Sequence, residues 1–540
     1  MRGGKILLFR FLRSHYFVLL LSLLFTGYFL SPLFYSLVTT PPETVNLLVG
    51  HYYEDYFEYL SFVAQGKAGS LFISNLFTNN DPGRYFPVWW PYSLIGFLPY
   101  LFRLNIPSPF LYWTASFILI VLSAITAFKL IGFVIDNKSR NAKLAAFILF
   151  LTSCGFYVFK GGKIIQLDFW YSNGFPVSKF NMGTPHHQLS QLIFLWLILA
   201  VISLIEKKFT HKTACIYILL VILLTLLSPV LLLLFSLALV PAIVLRPGKI
   251  TRKDLFYFLP PLASTALSLI IFKNTFLASV FVAGKQWDID HLFYPSSLQF
   301  IKAIGPLLIL SPFALKGYLS KVSFGRIFLL SAGIISAFFI LIPFPDSQNN
   351  ILKFAGFHNL RFQTLSFYIL LSVMAAEIIS LVRNRLLFWA CITAFFIFAL
   401  PVFINSWSQT SGNLLGASYL NLMPKDLYEG MRYLKKQNLG VVLTSAKSGL
   451  GLVVPALSLQ RVYFGRSIFT PSINIRLDTV NKFYGLEMTA SEAQGFLKRE
   501  SITYVVLSNL DLNEKEVFER YPFMSLIFTN GEIRIFKTGT

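Results

Sequence analysis

His51-Tyr-Tyr-Glu-Asp-Tyr-Phe-Glu58 stands just beyond an apolar run at about 16–38. Acidic residues are scarce in this chain: 24 Asp and Glu among 540 residues, against 46 Lys and Arg. Two adjacent carboxylates, Glu54 and Asp55, close to a bilayer in so acid-poor a sequence point to chemistry at the membrane surface. The competing reading is a solvated loop, which adjacent acids more often mark.

Working outward, the composition is that of a membrane protein. Hydrophobic residues make up 55% of the chain and charged residues 13%, and mean hydropathy is +0.64. Soluble domains carry roughly one quarter charged residues, so a polytopic α-helical membrane protein with at most one modest soluble domain is expected. The first apolar run follows Arg2, Lys5, Arg10 and Arg13 and flows into Pro32 and Tyr35. It is too long for a signal-peptide core and reads as an uncleaved span. Cys154, Cys215 and Cys391 fall in or beside apolar segments and imply no disulfide framework. The net charge of +22 does not indicate nucleic acid, because the basic residues cluster in short loops, the positive-inside pattern.

Those loops set a topology. Spans are expected near 16–38, 110–135, 144–160, 189–205, 213–227, 229–245, 255–273, 299–315, 327–343, 363–381 and 386–404, about eleven in all. Lys138/Arg140/Lys143, Lys207/Lys208/Lys212, Arg246/Lys249/Arg252/Lys253, Lys316/Lys321/Arg326 and Arg383/Arg385 occupy alternate loops. All read as cytoplasmic, with the N-terminus inside and the C-terminus outside. Basic loops at both ends of 213–245 demand an even number of spans, so the run is divided at Ser228-Pro229. The stretch 86–104, with three prolines and two tryptophans, reads as interfacial or re-entrant. A transmembrane domain over 1–405 therefore leaves long outer loops, the first at about 39–109. These hold Glu54, Asp55, Glu58, Asp168, Asp288, Asp346 and five histidines. Function concentrates in such loops.

The tail, 424–540, has ordinary charge. Val441–Thr444, Arg461–Phe464 and Ile502–Leu507 read as buried strands, and Pro424–Gln437 and Ser491–Glu500 as helices, the second opened by a serine cap. Asn530-Gly531 turns into a last strand. A small extracytoplasmic α/β domain is expected.

Several residues could carry chemistry. After Asp55, Phe57, Leu60 and Ala64 recur at helical spacing until Gly66 and Gly69, which predicts an amphipathic helix lying on the membrane. Asp55 at its start is either a helix cap or a carboxylate able to take a proton from a hydroxyl. Asp168 and, beyond it, Pro185-His186-His187 at the start of a span lack metal-motif spacing. Either histidine serves interfacial hydrogen bonding or joins Asp168 and Asp55 around a cation or phosphate. His358-Asn359-Leu360-Arg361 precedes another span. There Arg361 either snorkels to headgroups or, with Lys353, grips a phosphate through its forked donors.

Taken together, these features resemble the GT-C class of integral-membrane glycosyltransferases. Glu54-Asp55 matches that class's acidic motif after the first span. The stretch Asp55-x-x-x-Tyr59-x-Ser61, Gln65-Gly66-x-x-Gly69, Asn75-x-x-Thr78 is similar to first loops of bacterial members, and Asp168 followed by Pro185-His186-His187 resembles their second loop. Pro455–Gly465 and Thr470-Pro471 resemble their outer α/β domain. The Trp-Trp-Asp motif of the oligosaccharyltransferases is missing, since Trp89-Trp90 is followed by Pro91. En bloc transfer of an oligosaccharide to asparagine is therefore disfavoured.

The resemblance implies an inverting transferase that takes a sugar from a polyprenyl-phosphate donor to a hydroxyl on a lipid, glycan or protein at the outer face of the cell membrane. Asp55, with Glu54 beside it, would be the catalytic base. Asp168, His186, His187, Lys353, His358 and Arg361 would contact substrate. The leaving phosphate needs positive charge, from Arg361, Lys353 or a divalent cation, magnesium or manganese, held by Asp55 and Asp168. A lipid or glycan flippase or transporter, and a non-catalytic membrane scaffold, are the alternatives. Ion-coupled transport is disfavoured because ionisable residues inside the spans are nearly lacking, Glu377 excepted.

Overall fold

The computed structural model describes residues 2–81, 83, 89–135, 139–169, 174–206, 210–246, 252–275, 281–343, 358–416, 420–511 and 514–539. The chain is mostly helical. Among the described residues, five helices are long and apolar enough to cross a membrane: Tyr16–Val38, Ser108–Val134, Pro185–Glu206, Phe324–Leu341 and Arg385–Leu415. Ser297–Ile304 and Pro306–Ser320 make a sixth if a pair bent by 97° counts as one span. His211–Leu227, Pro229–Leu245 and Leu365–Ile379 are shorter apolar helices. The first two meet at Ser228, where the sequence places the break.

Internal contacts divide the chain into two units. One comprises Met1–Ser31, Ser116–Thr275 and Lys285–Gln409. Several polar side chains of its apolar helices bond back to a carbonyl one turn earlier, Thr225 to Val221 O at 2.7 Å and Ser311 to Leu307 O at 2.7 Å among them, as a low-dielectric surround favours. Arg326 is bonded within the unit as well. It is 3% exposed, donates from Nε to Val134 O at 2.9 Å and from Nη1 to Tyr318 O at 2.7 Å, and pairs with Glu377. Glu377 is thus paired with a cation on a neighbouring helix.

Two expectations are corrected in this unit. The span placed at 144–160 stops as a helix at Thr152. Tyr157–Lys160 and Lys163–Gln166 then form an antiparallel hairpin. Its turn is Gly161-Gly162, both at positive φ (59° and 73°), the backbone that two-residue hairpin turns require. Apolar content alone does not distinguish this hairpin from the end of a span. The run at 299–315, expected as a span, is a pair of helices bent by 97° at Gly305-Pro306.

The other unit comprises Pro32–Ala115, Phe276–Gly284 and Thr410–Thr540. It holds a five-stranded sheet in the spatial order Arg461–Val462, Val441–Leu443, Ile502–Ser508, Ile533–Lys537, Ser525–Asn530. The first three strands run parallel and the last two pairings are antiparallel. Leu443, Val480, Phe483, Phe496, Val505, Leu507 and Phe536 fill its core. Strands and helices fall close to their expected places, with one correction. The helix Ala490–Arg499 is opened by Thr489, not Ser491. Thr489 Oγ1 accepts from Glu492 N while the Glu492 carboxylate accepts from Thr489 N, a complete capping box. A short antiparallel pair, Thr44–Asn46 with Leu422–Pro424, belongs to the same unit.

The expected amphipathic surface helix is a second correction here. Tyr53–Lys67 is a helix, but Tyr56 through Gly66 are all buried. It packs against the helices Trp90–Leu101 and Leu450–Ser458. Where it crosses Trp90–Leu101 the backbones nearly touch: a Cβ on Gly66 would lie 2.1 Å from Ser93 O, and one on Gly96 would lie 2.0 Å from Val63 O. The polar residues that suggested a wet face are instead paired internally. Gln65 exchanges hydrogen bonds with Ser74 at 3.1 and 2.7 Å. Glu58 is 2% exposed. Trp90–Leu101 has 12 residues, a rise of about 18 Å, short of the roughly 30 Å hydrocarbon core.

Candidate functional site

Glu54 and Asp55 occupy the first turn of the buried helix Tyr53–Lys67, where the helix dipole favours negative charge. Glu58 lies one turn on. All three converge on one side chain that sequence reasoning missed, Arg466. Its Nη1 pairs with Glu54 Oε2. Its Nη2 donates to Asp55 Oδ1 at 2.6 Å, and its Nε reaches Glu58 Oε2 at 3.4 Å. The guanidinium centre also lies 5.8 Å from the Tyr52 ring centroid.

Arg466 is held in place by a laced loop. Val462 N donates to Leu76 O at 2.9 Å. Thr470 Oγ1 donates to Phe77 O at 2.9 Å, and Asn75 Nδ2 to Phe469 O at 2.9 Å. Asn75, singled out in the first loop by its resemblance, therefore stitches that loop to the segment bearing Arg466. Beneath the turn, His51 Nε2 and Tyr112 OH share a 2.6 Å hydrogen bond among the rings of Tyr56 and Trp113. Burial lowers the His51 imidazole to about 4, so it is neutral.

The three carboxylates differ. Side-chain exposure is 36% for Asp55, 23% for Glu54 and 3% for Glu58. Burial, with Asp55 nearby, pushes the Glu58 carboxyl well above the usual range and favours its neutral form. Burial lowers the Arg466 guanidinium to about 10, against the raising effect of Tyr52 and Tyr53, so it stays charged at neutral pH. The result is a guanidinium engaged by two outer carboxylates and backed by a buried carboxylic acid. Asp55 is the most open of the three acids.

This arrangement does not fit a divalent ion. Such an ion gathers oxygens on one point at about 2.0–2.6 Å, whereas these oxygens spread over three separate nitrogens. Among the described residues, no group of three or more His, Cys, Asp or Glu side chains could hold a metal ion.

The other candidates belong to the first unit. Asp168 is exposed, two residues beyond the hairpin strand Lys163–Gln166. His186 and His187 open the helix Pro185–Glu206, their rings 3.9 Å apart. His358 and Arg361 share a short 3-10 turn: His358 Nδ1 accepts from Leu360 N at 3.2 Å, and Arg361 Nη2 pairs with Asp288 Oδ1 at 2.8 Å. Burial and the adjacent Arg361 lower His358 to about 4. Burial raises the Asp288 carboxyl against the opposing pull of Arg361. Lys353 lies outside the described residues. The structure thus brings Glu54 with Asp55 on Arg466, and His358 with Arg361 beside Asp288.

The whole chain has structural relatives. The Archaeoglobus fulgidus oligosaccharyltransferase in its apo form superposes with a TM-score of 0.55 at 12% identity, covering 92% of this chain and 69% of that one. The chain shares the fold of this oligosaccharyltransferase. The same archaeal enzyme, AglB, in complex with an inhibitory peptide and a dolichol-phosphate gives 0.51 at 13% identity, covering 92% and 69%. Its form tethered to an acceptor peptide containing the NVT sequon gives 0.52 at 13% identity, covering 98% and 75%. No protein-family model matches the chain, and no curated protein matches it by sequence. At these identities the GT-C likeness is one of fold.

Proposed function

We propose that this GT-C-fold chain is an inverting glycosyltransferase. It moves a sugar from a polyprenyl-phosphate donor to a hydroxyl of a lipid, glycan or protein at the outer face of the cell membrane. Its topology is about eleven spans, N-terminus inside, with the 424–540 region outside. The observation that carries the reading is Asp55: a carboxylate fixed by Arg466 at a helix N-terminus, yet the most open of its cluster. The archaeal relative's complex with dolichol-phosphate supports a lipid-linked donor.

In the reaction, the acceptor hydroxyl oxygen attacks the anomeric carbon and its proton passes to Asp55. The bond between that carbon and the phosphate oxygen breaks, and polyprenyl phosphate leaves with the electron pair. Such general-base assistance contributes roughly 10²–10⁴ in rate. Arg361, 35% exposed beside Asp288, is assigned the leaving phosphate, with Lys353 and His358 near it in sequence. Asp168, His186 and His187 are assigned to substrate. The sequence has no Trp-Trp-Asp motif, its Trp89-Trp90 lying in the first loop before Pro91, which favours transfer of a simple sugar over en bloc oligosaccharide transfer. The pairing of Glu377 with Arg326 speaks against ion-coupled transport, since the intramembrane acid is already neutralised.

The test is reconstitution in proteoliposomes with polyprenyl-phosphate sugars and extracted envelope acceptors, comparing wild type with Asp55→Asn and Glu54→Gln. Transfer should fall at least about 100-fold in Asp55→Asn. Equal transfer by all three proteins would overturn the assignment.

A further inference from the structure

A base in an acidic cluster needs a counter-charge, and the sequence leaves two sources open: a divalent cation or a basic side chain. The geometry around Asp55 separates them. Arg466 places each of its three guanidinium nitrogens on a different acidic side chain: Nη1 on Glu54, Nη2 on Asp55 at 2.6 Å, Nε on Glu58 at 3.4 Å. The guanidinium is rigid and planar, with donors in a fixed fork, so it holds these oxygens apart. Arg466 is itself only 10% exposed. Its backbone is also pinned, since Phe469 N donates to Arg466 O at 3.0 Å and Gly465 N to Thr470 Oγ1 at 3.2 Å. The cation of this centre is therefore built into the fold.

We infer that Arg466, delivered by the C-terminal segment, takes the place of a divalent cation at the acidic turn and fixes the orientation of Asp55, so that the centre works without metal. Arg466 acts through Asp55 and is a positioning residue. The catalytic part of this inference rests on the glycosyltransferase reading; the cation part stands on its own and is tested without an activity assay.

Three arguments converge. One of the two first-turn negative charges is already countered by Arg466, so a second cation would meet a smaller attraction. Moving Glu54 and Asp55 onto a metal would strip a buried guanidinium of its partners, which is strongly unfavourable. Glu58, the third potential oxygen donor, is closed off at 3% exposure and reaches only the Nε side of the fork.

The experiment uses the full chain purified in detergent, stripped with EDTA. Mn²⁺ is added, and bound ion is read from loss of the free-ion EPR signal, with the thermal midpoint measured in parallel. Wild type should retain no Mn²⁺ that Asp55→Asn abolishes, and its midpoint should not move with EDTA or Mn²⁺. Arg466→Ala should melt lower, and Mn²⁺ should raise its midpoint through the unmatched carboxylates of Glu54 and Asp55; Asp55→Asn in the same background should remove that response. Mn²⁺ retained by wild type and lost in Asp55→Asn would overturn the inference. So would a folded Arg466→Ala protein with no Mn²⁺ response. If Arg466→Ala does not fold, Arg466→Gln replaces it, and the wild-type arm decides in any case. In proteoliposomes, transfer that persists in EDTA supports the catalytic part. Transfer that EDTA abolishes and Mn²⁺ restores defeats it while leaving the glycosyltransferase reading intact.

Discussion

Arg466 and Asp55 are 411 positions apart in the chain and 2.6 Å apart in space. The contact ties the start of a buried helix to the loop after a strand of the α/β sheet, and it is charge-assisted at both ends. Removing one partner leaves the other's charge poorly solvated. Truncating a buried ion-paired group costs about 3–5 kcal/mol, most of it from the abandoned partner. Arg466→Ala should therefore lower stability by an amount in that range. Asp55→Asn should cost less, because Glu54 and Glu58 still engage the guanidinium. A double-mutant cycle by urea unfolding in detergent should give a coupling of about 1.5–3 kcal/mol, the worth of a hydrogen bond to a charged group. Additive single effects would show that the pair does not hold the helix.

Arg466→Lys separates charge from geometry. An ammonium keeps the charge but cannot serve three acidic side chains in fixed directions. The variant should melt between wild type and Arg466→Ala. Transfer should drop more than stability does, visible as a lower kcat with KM little changed. A kcat that falls only in step with the folded fraction would mean that Arg466 only holds the fold.

Glu58 makes a prediction about pH. Its folded-state pKa lies well above the usual carboxylate value because it is buried near Asp55. The folded state therefore holds a proton that the unfolded state releases once pH passes its ordinary pKa of about 4.3. Stability from this group is full below that value and is lost as pH rises toward the folded-state pKa. Glu58→Gln mimics the neutral acid and should remove that decline. The variant's thermal midpoint should match wild type in acid and exceed it as pH rises. A wild-type midpoint that rises over the same interval, with the variant flat, would mean that Glu58 is ionised against Arg466.

Much of this architecture is legible in the sequence because it depends on local pattern. The break at Ser228, the helices at Pro185–Glu206 and Phe324–Leu341 and the strand Ile502–Ser508 each follow from periodicity, length or a proline. The position of Asp55 at a helix start is legible for the same reason. Arg466 was not, because nothing local marks it. It follows Gly465 in a segment that reads as ordinary tail, and only tertiary contact makes it the partner of the acids. The buried environment of Tyr53–Lys67 was hidden for a related reason: Glu58, Ser61 and Gln65 look solvent-facing until their internal partners are known. The first hairpin strand, Tyr157–Lys160, reads as the end of a span because short apolar strands and helix ends share a composition.

The cap of Ala490–Arg499 offers a direct contrast between two neighbouring hydroxyls. Thr489 completes the capping box with Glu492, whereas Ser491 sits inside the helix. Replacing an N-cap threonine by alanine costs about 1 kcal/mol. Thr489→Ala should destabilise by that amount, and Ser491→Ala should be neutral or slightly stabilising through higher helix propensity. Both follow from the unfolding midpoint of the full chain. Equal effects would place the helix start elsewhere.

Gly96 tests whether the burial of the acidic helix matters to Asp55. A methyl group at Gly96 would meet Val63 O at 2.0 Å and Lys67 N at 2.8 Å. Both are backbone atoms, so no rotamer change relieves the clash and one helix must move. Overpacking of this kind costs about 1–3 kcal/mol. Val63 is two turns along from Asp55 on the same helix, so a shift there is transmitted to the first turn while the 2.6 Å contact with Arg466 resists it. Gly96→Ala should lower the thermal midpoint and also reduce transfer, although residue 96 touches neither Asp55 nor Arg466 directly. Gly495→Ala is the control, because a Cβ at Gly495 would meet nothing within 4 Å, and it should leave activity unchanged. If Gly96→Ala melts lower but transfers at the wild-type rate, the helix crossing supports only the fold, and Arg466 alone sets the position of Asp55.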